Sequence, residues 1–578
     1  MRAPLRKGRM AREPRSAAIL YSVADYDPNQ RMMGRQVASE ALLKAIAQHD
    51  PSPEIGVYTA RGEDVKTFQQ VQERMGAPRG RGYRWLRPGD LGALQRAGSL
   101  YRPDPVLQDE AWARQSGNTR AYSLCGVTHT LSSTGAQRAM AQYLVAPYEE
   151  WDAVICTSRA VRGAIDHLVG EFGTYLAERL GAPQRPRPLL QLPVIPLGVH
   201  ADEFDTTTAA MKRARVRWRQ KLGIAESDTV ALFVGRLSYH AKANPYPMYW
   251  ALEEAARRTG KKIHLVQVGW FANAHIERAF KDPARQLCPS IRCHFLDGRE
   301  AAVRADIWAV GDFFTSLVDN IQETFGLSPV EAMAAGLPVV ATDWDGYRET
   351  ARDGVDGMLV RTLLSPPGLG EPLATRHNTG VDSYDNYLSV AALNVAVDIK
   401  QAADAYTALV SDPAKRAAMG EAGRTRARDT FEWKRIYGQY RELWGELAER
   451  REQGVQRSVR KQGSSANPLN PDPFRLFQHY PSGSFGARSK VRLVAGFDAA
   501  AWKTLLEVPL LVARSPVQAT TEDALTLRAL LPADGATVEV GALLQQVPAP
   551  RRDVFGRALT WLLKAGLIEI EDRVPPRV

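Results

Sequence analysis

Cysteine is scarce in this chain: four in 578 residues, at positions 125, 156, 288 and 293. Only Cys288 and Cys293 are near neighbours and no histidine cluster accompanies them. That speaks against a disulfide framework or a zinc-type ligand set and points to reduced, mostly buried thiols in a cytoplasmic protein. Long apolar runs are also missing, since none reaches the roughly 18 residues that a membrane span needs. The first sixteen residues hold Arg2, Arg6, Lys7, Arg9, Arg12 and Arg15 against Glu13, without an apolar stretch. They do not make a secretory signal. They read as a basic disordered arm (1–16) or as residues upstream of a start at Met10. The chain is too long for one core, so three or four domains are expected.

Charge is unbalanced, with a formal net of +11, which suits nucleic acid, a membrane surface or anionic substrates. One basic run, Arg79-Gly-Arg-Gly-Tyr-Arg-Trp-Leu-Arg-Pro88, places four arginines around Tyr83 and Trp85. It reads either as a solvated loop or as a loop at the headgroups of an anionic bilayer. From Arg451 to about residue 487 the composition turns to Gly, Ser, Asn, Gln and Pro, as in a linker. Residues 488–578 then form a separate module. Helices are expected around Asp498–Glu507 and Thr521–Leu531, and a third over Arg552–Gly566 with Val554, Phe555, Ala558, Leu559, Leu562 and Leu563 inward, before an alternating strand at Leu567–Ile570. The order resembles a winged-helix fold. Yet the module carries twelve Lys/Arg against ten Asp/Glu, too balanced for a DNA-reading surface, so nucleic acid is disfavoured and a protein-contact or dimerising role is expected.

The densest signal runs from Asp319 to Val360. It reads as a strand end, Glu323, a glycine-containing turn, a helix of small residues bearing Glu331, Gly336-Leu337-Pro338, and a buried strand. This puts free N–H groups and the positive end of a helix dipole at the carboxyl edge of a sheet, where phosphate is the expected guest. Eight helical residues rise about 12 Å, so Glu323 and Glu331 cannot touch. They can address the two ends of a long ligand whose diphosphate rests on the N–H groups of Thr324, Phe325, Gly326 and Leu327, since carboxylates suit sugar hydroxyls. Taken alone, the pair reads more readily as a solvated helix residue, Glu331, and a helix-start acid, Glu323.

The segment closely resembles the donor-binding signature of retaining, GT-B-fold glycosyltransferases of family 4. Upstream, Val230-Ala-Leu-Phe-Val-Gly-Arg-Leu-Ser238 matches a second signature of that family. The resemblance covers about residues 17–450 and implies two Rossmann-like domains facing a cleft, an α/β class: an acceptor domain at 17–200 and a nucleotide-sugar domain at 201–450, with a crossover helix at 431–450 bearing Trp433, Ile436, Tyr437, Tyr440, Leu443, Trp444 and Leu447 on one face. It implies that Arg236 and Lys242 hold the donor diphosphate, although Lys242 falls six residues after the arginine where five is common. It further assigns Glu323 to the donor sugar, Glu331 to the ribose, Gly298 and Arg299 to the base, Gly34 and Gly235 to close backbone approach, and His129 to the neighbourhood of the transferred sugar. His200 stands where the family pattern has aspartate. No metal or cofactor is implied beyond the nucleotide sugar as co-substrate, and Asp25-Tyr-Asp27 and Asp343-Trp-Asp345 read as loop acids. Acceptors of such enzymes include lipid-linked ones, which makes peripheral contact with the inner membrane face an open alternative. The bare fold also suits a phosphorylase, a hydrolase or a non-catalytic nucleotide-sugar sensor.

Overall fold

The structure, a computed structural model, describes residues 15–26, 34–455, 464–512 and 515–571. The expected basic arm up to residue 14 and positions 456–463 of the expected linker lie outside the described residues. The chain divides into two compact units, Met1–Gln462 and Gly463–Val578.

The first unit holds two six-stranded sheets. Strands β1 (Ala18–Leu20), β2 (Glu54–Tyr58), β3 (Gly82–Leu86), β4 (Ser99–Tyr101), β5 (Ser123–Val127) and β6 (Ala153–Ile155) run parallel in the order β3-β2-β1-β4-β5-β6. Strands β7 (Thr229–Val234), β8 (Ile263–Gly269), β9 (Arg292–Asp297), β10 (Phe313–Ser316), β11 (Val339–Thr342) and β12 (Gly357–Val360) form the second, in the order β12-β11-β10-β7-β8-β9. Each order reverses direction once beside its first strand, the doubly wound pattern that opens a ligand crevice at the carboxyl ends. Two such units in succession are the GT-B arrangement expected from the sequence. The central strands β8 and β10 are buried throughout, because helices cover each side, whereas the edge strands β3 and β9 are largely half-buried.

Three helices carry or flank residues singled out in the sequence, α1 (Gly34–His49), α2 (Arg159–Leu180) and α3 (Leu327–Ala334), and a further pair, α4 (Glu371–Asn378) and α5 (Tyr384–Leu393), lies between β13 (Thr362–Leu364) and β14 (Val395–Val397). A sixth, α6 (Trp433–Gln453), returns to the first sheet. Its expected apolar face is buried at all seven positions, in one core with Ile19, Val57, Tyr101 and Ile155. The two crossings between the sheets pair with one another, Val199 N–H donating to Phe431 O (2.8 Å) and Trp433 N–H to Val199 O (3.0 Å). His200 acquires a reason here: its Nε2 bonds the Ala41 carbonyl of α1 at 3.1 Å, and its ring lies 6.3 Å from that of Trp433. Burial pushes this imidazole down to about 4, so it stays neutral.

The basic run at 79–88 corrects the sequence reading, because it is not a loop. Residues 82–86 form the edge strand β3. Arg81 donates to the carbonyls of Ile46 and Ala47 at the end of α1 (both 3.1 Å), Arg84 pairs with Glu54 (3.1 Å), and Arg87 lies 4.2 Å over the Trp85 ring. A basic edge is a known guard against strand addition, and carbonyls at a helix end attract cations.

In the second unit, β15 (Lys490–Leu493) is the middle of an antiparallel sheet ordered β16-β15-β17, with β16 at Val538–Glu539 and β17 at Ile568–Ile570. Helices at Ala499–Leu506, Thr521–Leu530, Val540–Gln545 and Arg552–Lys564 complete it. Thr520 and Asp523 form a reciprocal capping box. Of the residues expected inward in the last helix, Phe555, Ala558, Leu559 and Leu562 are buried, whereas Val554 and Leu563 are half-buried.

Candidate functional site

The carboxyl edge of the second sheet gathers most of the residues singled out above. Three strand ends meet there through glycine: Gly235 N–H donates to Val268 O (2.9 Å), and Gly298 N–H to Gly269 O (2.9 Å). A Cβ on Gly269 would stand 2.0 Å from the Gly235 carbonyl, so nothing larger fits between β7 and β8 at this point. Arg236 follows β7 and donates through Nη2 to Gln322 Oε1 (3.0 Å) and Ala241 O (3.1 Å). Asp319 and Asn320, after β10, fasten the 238–244 loop: Asp319 Oδ1 accepts from Asn244 N–H (3.1 Å), and Asn320 Nδ2 donates to His240 O.

This brings Lys242 Nζ to 2.5 Å from Glu323 Oε2, with 17 % of each side chain exposed. The pair is separated by 81 residues in sequence. Burial alone would raise the Glu323 carboxyl, but the Lys242 charge and its hydrogen bond, with the N–H groups of Thr324 and Phe325, hold it below its usual range. Burial correspondingly works against the Lys242 ammonium, and the Glu323 charge more than restores it. The six-residue spacing from Arg236 therefore still delivers the lysine to the cluster.

Gly326 precedes α3 with φ +91°, and a Cβ on it would lie 2.0 Å from Cε1 of Tyr347. Both facts demand glycine. Tyr347 closes the floor, its hydroxyl 3.0 Å from Ser316 Oγ and its ring 6.0 Å from Lys242 Nζ. The first N–H groups of α3 have no carbonyl a turn earlier to meet and face this edge. Glu331, within α3, is half-buried and has no side-chain hydrogen bond among the described residues. Burial pushes it up to about 7, against a pull from Lys242.

The first sheet reaches the site at Thr324. The Thr324 hydroxyl donates to the His129 carbonyl (2.7 Å), and its own carbonyl accepts from Ser158 Oγ (2.8 Å), the N-cap of α2. His129 Nε2 lies 3.0 Å from Pro103 O, so Nε2 carries the proton. Burial, with a contribution from Arg35, pushes this imidazole down to about 4, making it neutral near pH 7.

Two expected residues stand apart. Arg299 is exposed and held by Asp297 through a double hydrogen bond (3.0 and 2.6 Å). Gly34 opens α1 with free space about it, and residues 27–33 before it, including Asp27 of the first Asp-x-Asp, lie outside the described residues. The sequence reading also passed over three groups. Gln322 sits beside Glu323 and holds Arg236. Tyr384 meets Gln322 at 3.4 Å. Asp345 takes φ +50°, and its buried Oδ2 has no hydrogen-bond partner among the described residues. Burial and then the Glu323 charge raise it well above the usual carboxylate range. The Asp-x-Asp pattern that contains it was visible; its burial was not.

The match to a known family falls on the same segment. Residues 214–366 match the family model of glycosyl transferases group 1. Among curated relatives, D-inositol 3-phosphate glycosyltransferase of Nocardia farcinica is 30% identical over 173 residues, covering 30% of this chain and 36% of that protein. The protein of the same name from Geodermatophilus obscurus is 32% identical over 174 residues, covering 29% and 36%. The chain thus spans about a third of the length of these relatives. Among solved structures, Anabaena Alr3699/HepE in complex with UDP aligns at 18% identity and a TM-score of 0.44, covering 73% of this chain and 98% of that one.

Among the described residues, no helix is long and apolar enough to cross a membrane, and no group of three or more His, Cys, Asp or Glu is arranged to hold a metal ion.

Proposed function

We propose that this chain transfers a glycosyl group from a nucleoside diphosphate sugar to an acceptor hydroxyl, with retention of anomeric configuration. The observation that carries the reading is the convergence of Arg236, Lys242 and the start of α3 on one sheet edge, inside the segment that matches glycosyl transferases group 1.

In the proposed step the bond from the anomeric carbon to the β-phosphate oxygen breaks, the acceptor oxygen bonds the same carbon on the same face, and the acceptor proton passes to the departing phosphate. Charge grows on the diphosphate, and Arg236, Lys242 and the N–H groups at 324–327 would receive it, Arg236 turning from Gln322 and the N–H groups of Thr324 and Phe325 from Glu323. Preorganised donors of this kind usually supply more of the rate enhancement than any other single effect. The two cations belong to the chain, so the step is proposed without a metal. Glu323 would hold donor sugar hydroxyls, Glu331 the ribose, and the Gly235–Gly298 edge, with Arg299 at its rim, the base. Gly34 and His129 would face the donor from the first sheet, His129 as a neutral hydrogen-bonding group.

Carboxyl groups beside a phosphate site would ordinarily repel the ligand. Burial weakens that objection: it pushes Glu331 up to about 7, leaving it only partly ionised at neutral pH, and raises Asp345 well above the usual carboxylate range, whereas the Lys242 charge keeps Glu323 ionised. We place the reaction in the cytoplasm, leave peripheral membrane contact as an option for lipid-linked acceptors, and assign the winged-helix-like module at residues 488–578 to protein contact or dimerisation.

The test is release of nucleoside diphosphate from UDP-, GDP-, ADP- and dTDP-glucose, with and without extracted lipid and sugar acceptors, and the anomeric form of the product by NMR. Acceptor-dependent release that falls by about two decades in Arg236→Ala supports the reading. Equal release by the wild type and Arg236→Ala, or an inverted product, refutes it.

A further inference from the structure

The helical pair α4–α5 begins just beyond the segment that matches the family model. It contributes little to the core: α4 buries no residue, and α5 buries only Leu388 and Ala392. Its polar groups instead reach across the cleft. Tyr384 OH lies 2.7 Å from Ser132 Oγ, and His377 Nε2 lies 3.2 Å from Thr134 Oγ1. Ser132 belongs to the loop after β5 that also carries His129, and Thr134 opens the helix that follows it (Thr134–Ala141). The ring of His377 stacks on that of Tyr387, 4.7 Å between centroids and 12° between planes, which fixes the hairpin's geometry. On its other side Tyr384 OH accepts from Gln322 Nε2 (3.4 Å), and Gln322 Oε1 accepts from Arg236 (3.0 Å).

One chain of hydrogen bonds, Ser132–Tyr384–Gln322–Arg236, therefore joins the first sheet's cleft loop to the guanidinium that faces the anion site. A charged diphosphate is a far stronger partner for a guanidinium than a neutral amide is. When Arg236 turns to it, Gln322 is released, and the next group to feel the change is Tyr384.

We propose that Tyr384 is a positioning residue that couples donor occupancy at Arg236 to the placement of loop 128–134, the wall against which an acceptor would sit. The inference rests on the reading of Arg236 as a phosphate holder. It predicts no contact of Tyr384 with the donor; the residue acts through Gln322 and Ser132.

Hydrogen–deuterium exchange of the full chain tests it, with UDP, GDP, ADP and dTDP as probes. In the wild type, the nucleotide that binds should slow exchange at 320–327 and change it at 128–134. In Tyr384→Phe, which loses only the hydroxyl, protection at 320–327 should persist while the response at 128–134 falls to what the direct Thr324–His129 bond carries. Exchange across α4 and α5 without nucleotide should stay as in the wild type, which a merely structural role would not allow. Ser132→Ala cuts the same bond from the other side and should give the same loss. A response at 128–134 that is equal in wild type and both variants, or absent in all three, overturns the coupling while leaving the donor reading intact. Absence of protection at 320–327 in the wild type with every nucleotide overturns the donor reading and the coupling with it.

Discussion

Lys242→Met deletes an ammonium while keeping most of the side-chain volume, and its cost should come from the carboxylate left behind. Nζ lies 2.5 Å from Glu323 Oε2, and most of each side chain is out of solvent. Removing one partner of a fully buried pair costs about 3–5 kcal/mol. The N–H groups of Thr324 and Phe325 still serve the Glu323 carboxylate, and part of it stays wet, so about 2–3 kcal/mol is expected here. The pH dependence has a definite sign. Glu323 is now held below its ordinary range, so its contribution to stability is present above that range and is lost as pH falls through the lowered value. Without Lys242 only those two N–H groups oppose burial, the carboxyl takes up its proton more readily, and the variant's penalty is full at about pH 8 and smaller at about pH 5. Lys242→Met/Glu323→Gln removes both charges and should return to within about 1 kcal/mol of the wild type. Urea unfolding followed by tryptophan fluorescence at the two pH values reads all three chains. If the double variant is as unstable as the single, or the single's penalty ignores pH, the buried-pair reasoning is wrong.

Single positions elsewhere give three further expected outcomes. Glu331 is pushed up to about 7 by burial, so the fold favours its proton and stability falls as pH rises from the ordinary carboxylate range to about 7; Glu331→Gln should lack that fall and be more stable on the alkaline side by about 2 kcal/mol after allowance for solvent, and parallel curves from pH-dependent urea melts would sink this. Gly326→Ala meets both a φ of +91° and the Tyr347 ring at 2.0 Å, and should cost about 2–3 kcal/mol in the same assay; a neutral change would contradict the tight turn. Trp444→Ala empties a fully buried site about 6.0 Å from the rings of Tyr101, Tyr437 and Tyr440, and should cost about 3–5 kcal/mol; a loss below about 1 kcal/mol would mean that α6 is not part of the first core.

What could be read from the sequence is what is local. The turn at Glu323–Leu327 and the helix after it follow from a glycine, a proline in an early turn and small helix formers, all within fifteen residues of one another. The face of α6 follows from aromatic residues at helical spacing, and all seven are buried. Long-range pairing is where the reading stops. Nothing near Lys242 announces Glu323, because β8, β9 and β10 and their helices intervene before the chain returns. His200 looked like an unexplained departure, since its partner Ala41 is 159 residues earlier. The run at 79–88 differs from its sequence reading for another reason: glycine, proline and arginine suggest a loop, while the alternation across Tyr83, Arg84 and Trp85 equally suits an edge strand. The α4–α5 hairpin went unread because its apolar residues are few and its role depends on hydroxyls and an imidazole that meet partners across the cleft.

On the proposed function, the edge formed by Arg236, Lys242 and the start of α3 binds a nucleoside diphosphate. Thermal unfolding of the full chain with UDP, GDP, ADP and dTDP in turn tests it most directly. A ligand at about 100 times its dissociation constant adds about 2.7 kcal/mol to stability. The account predicts a clear rise in the unfolding temperature with one of the four, abolished in Arg236→Ala. No rise with any of them, or a rise that survives in Arg236→Ala, would contradict it.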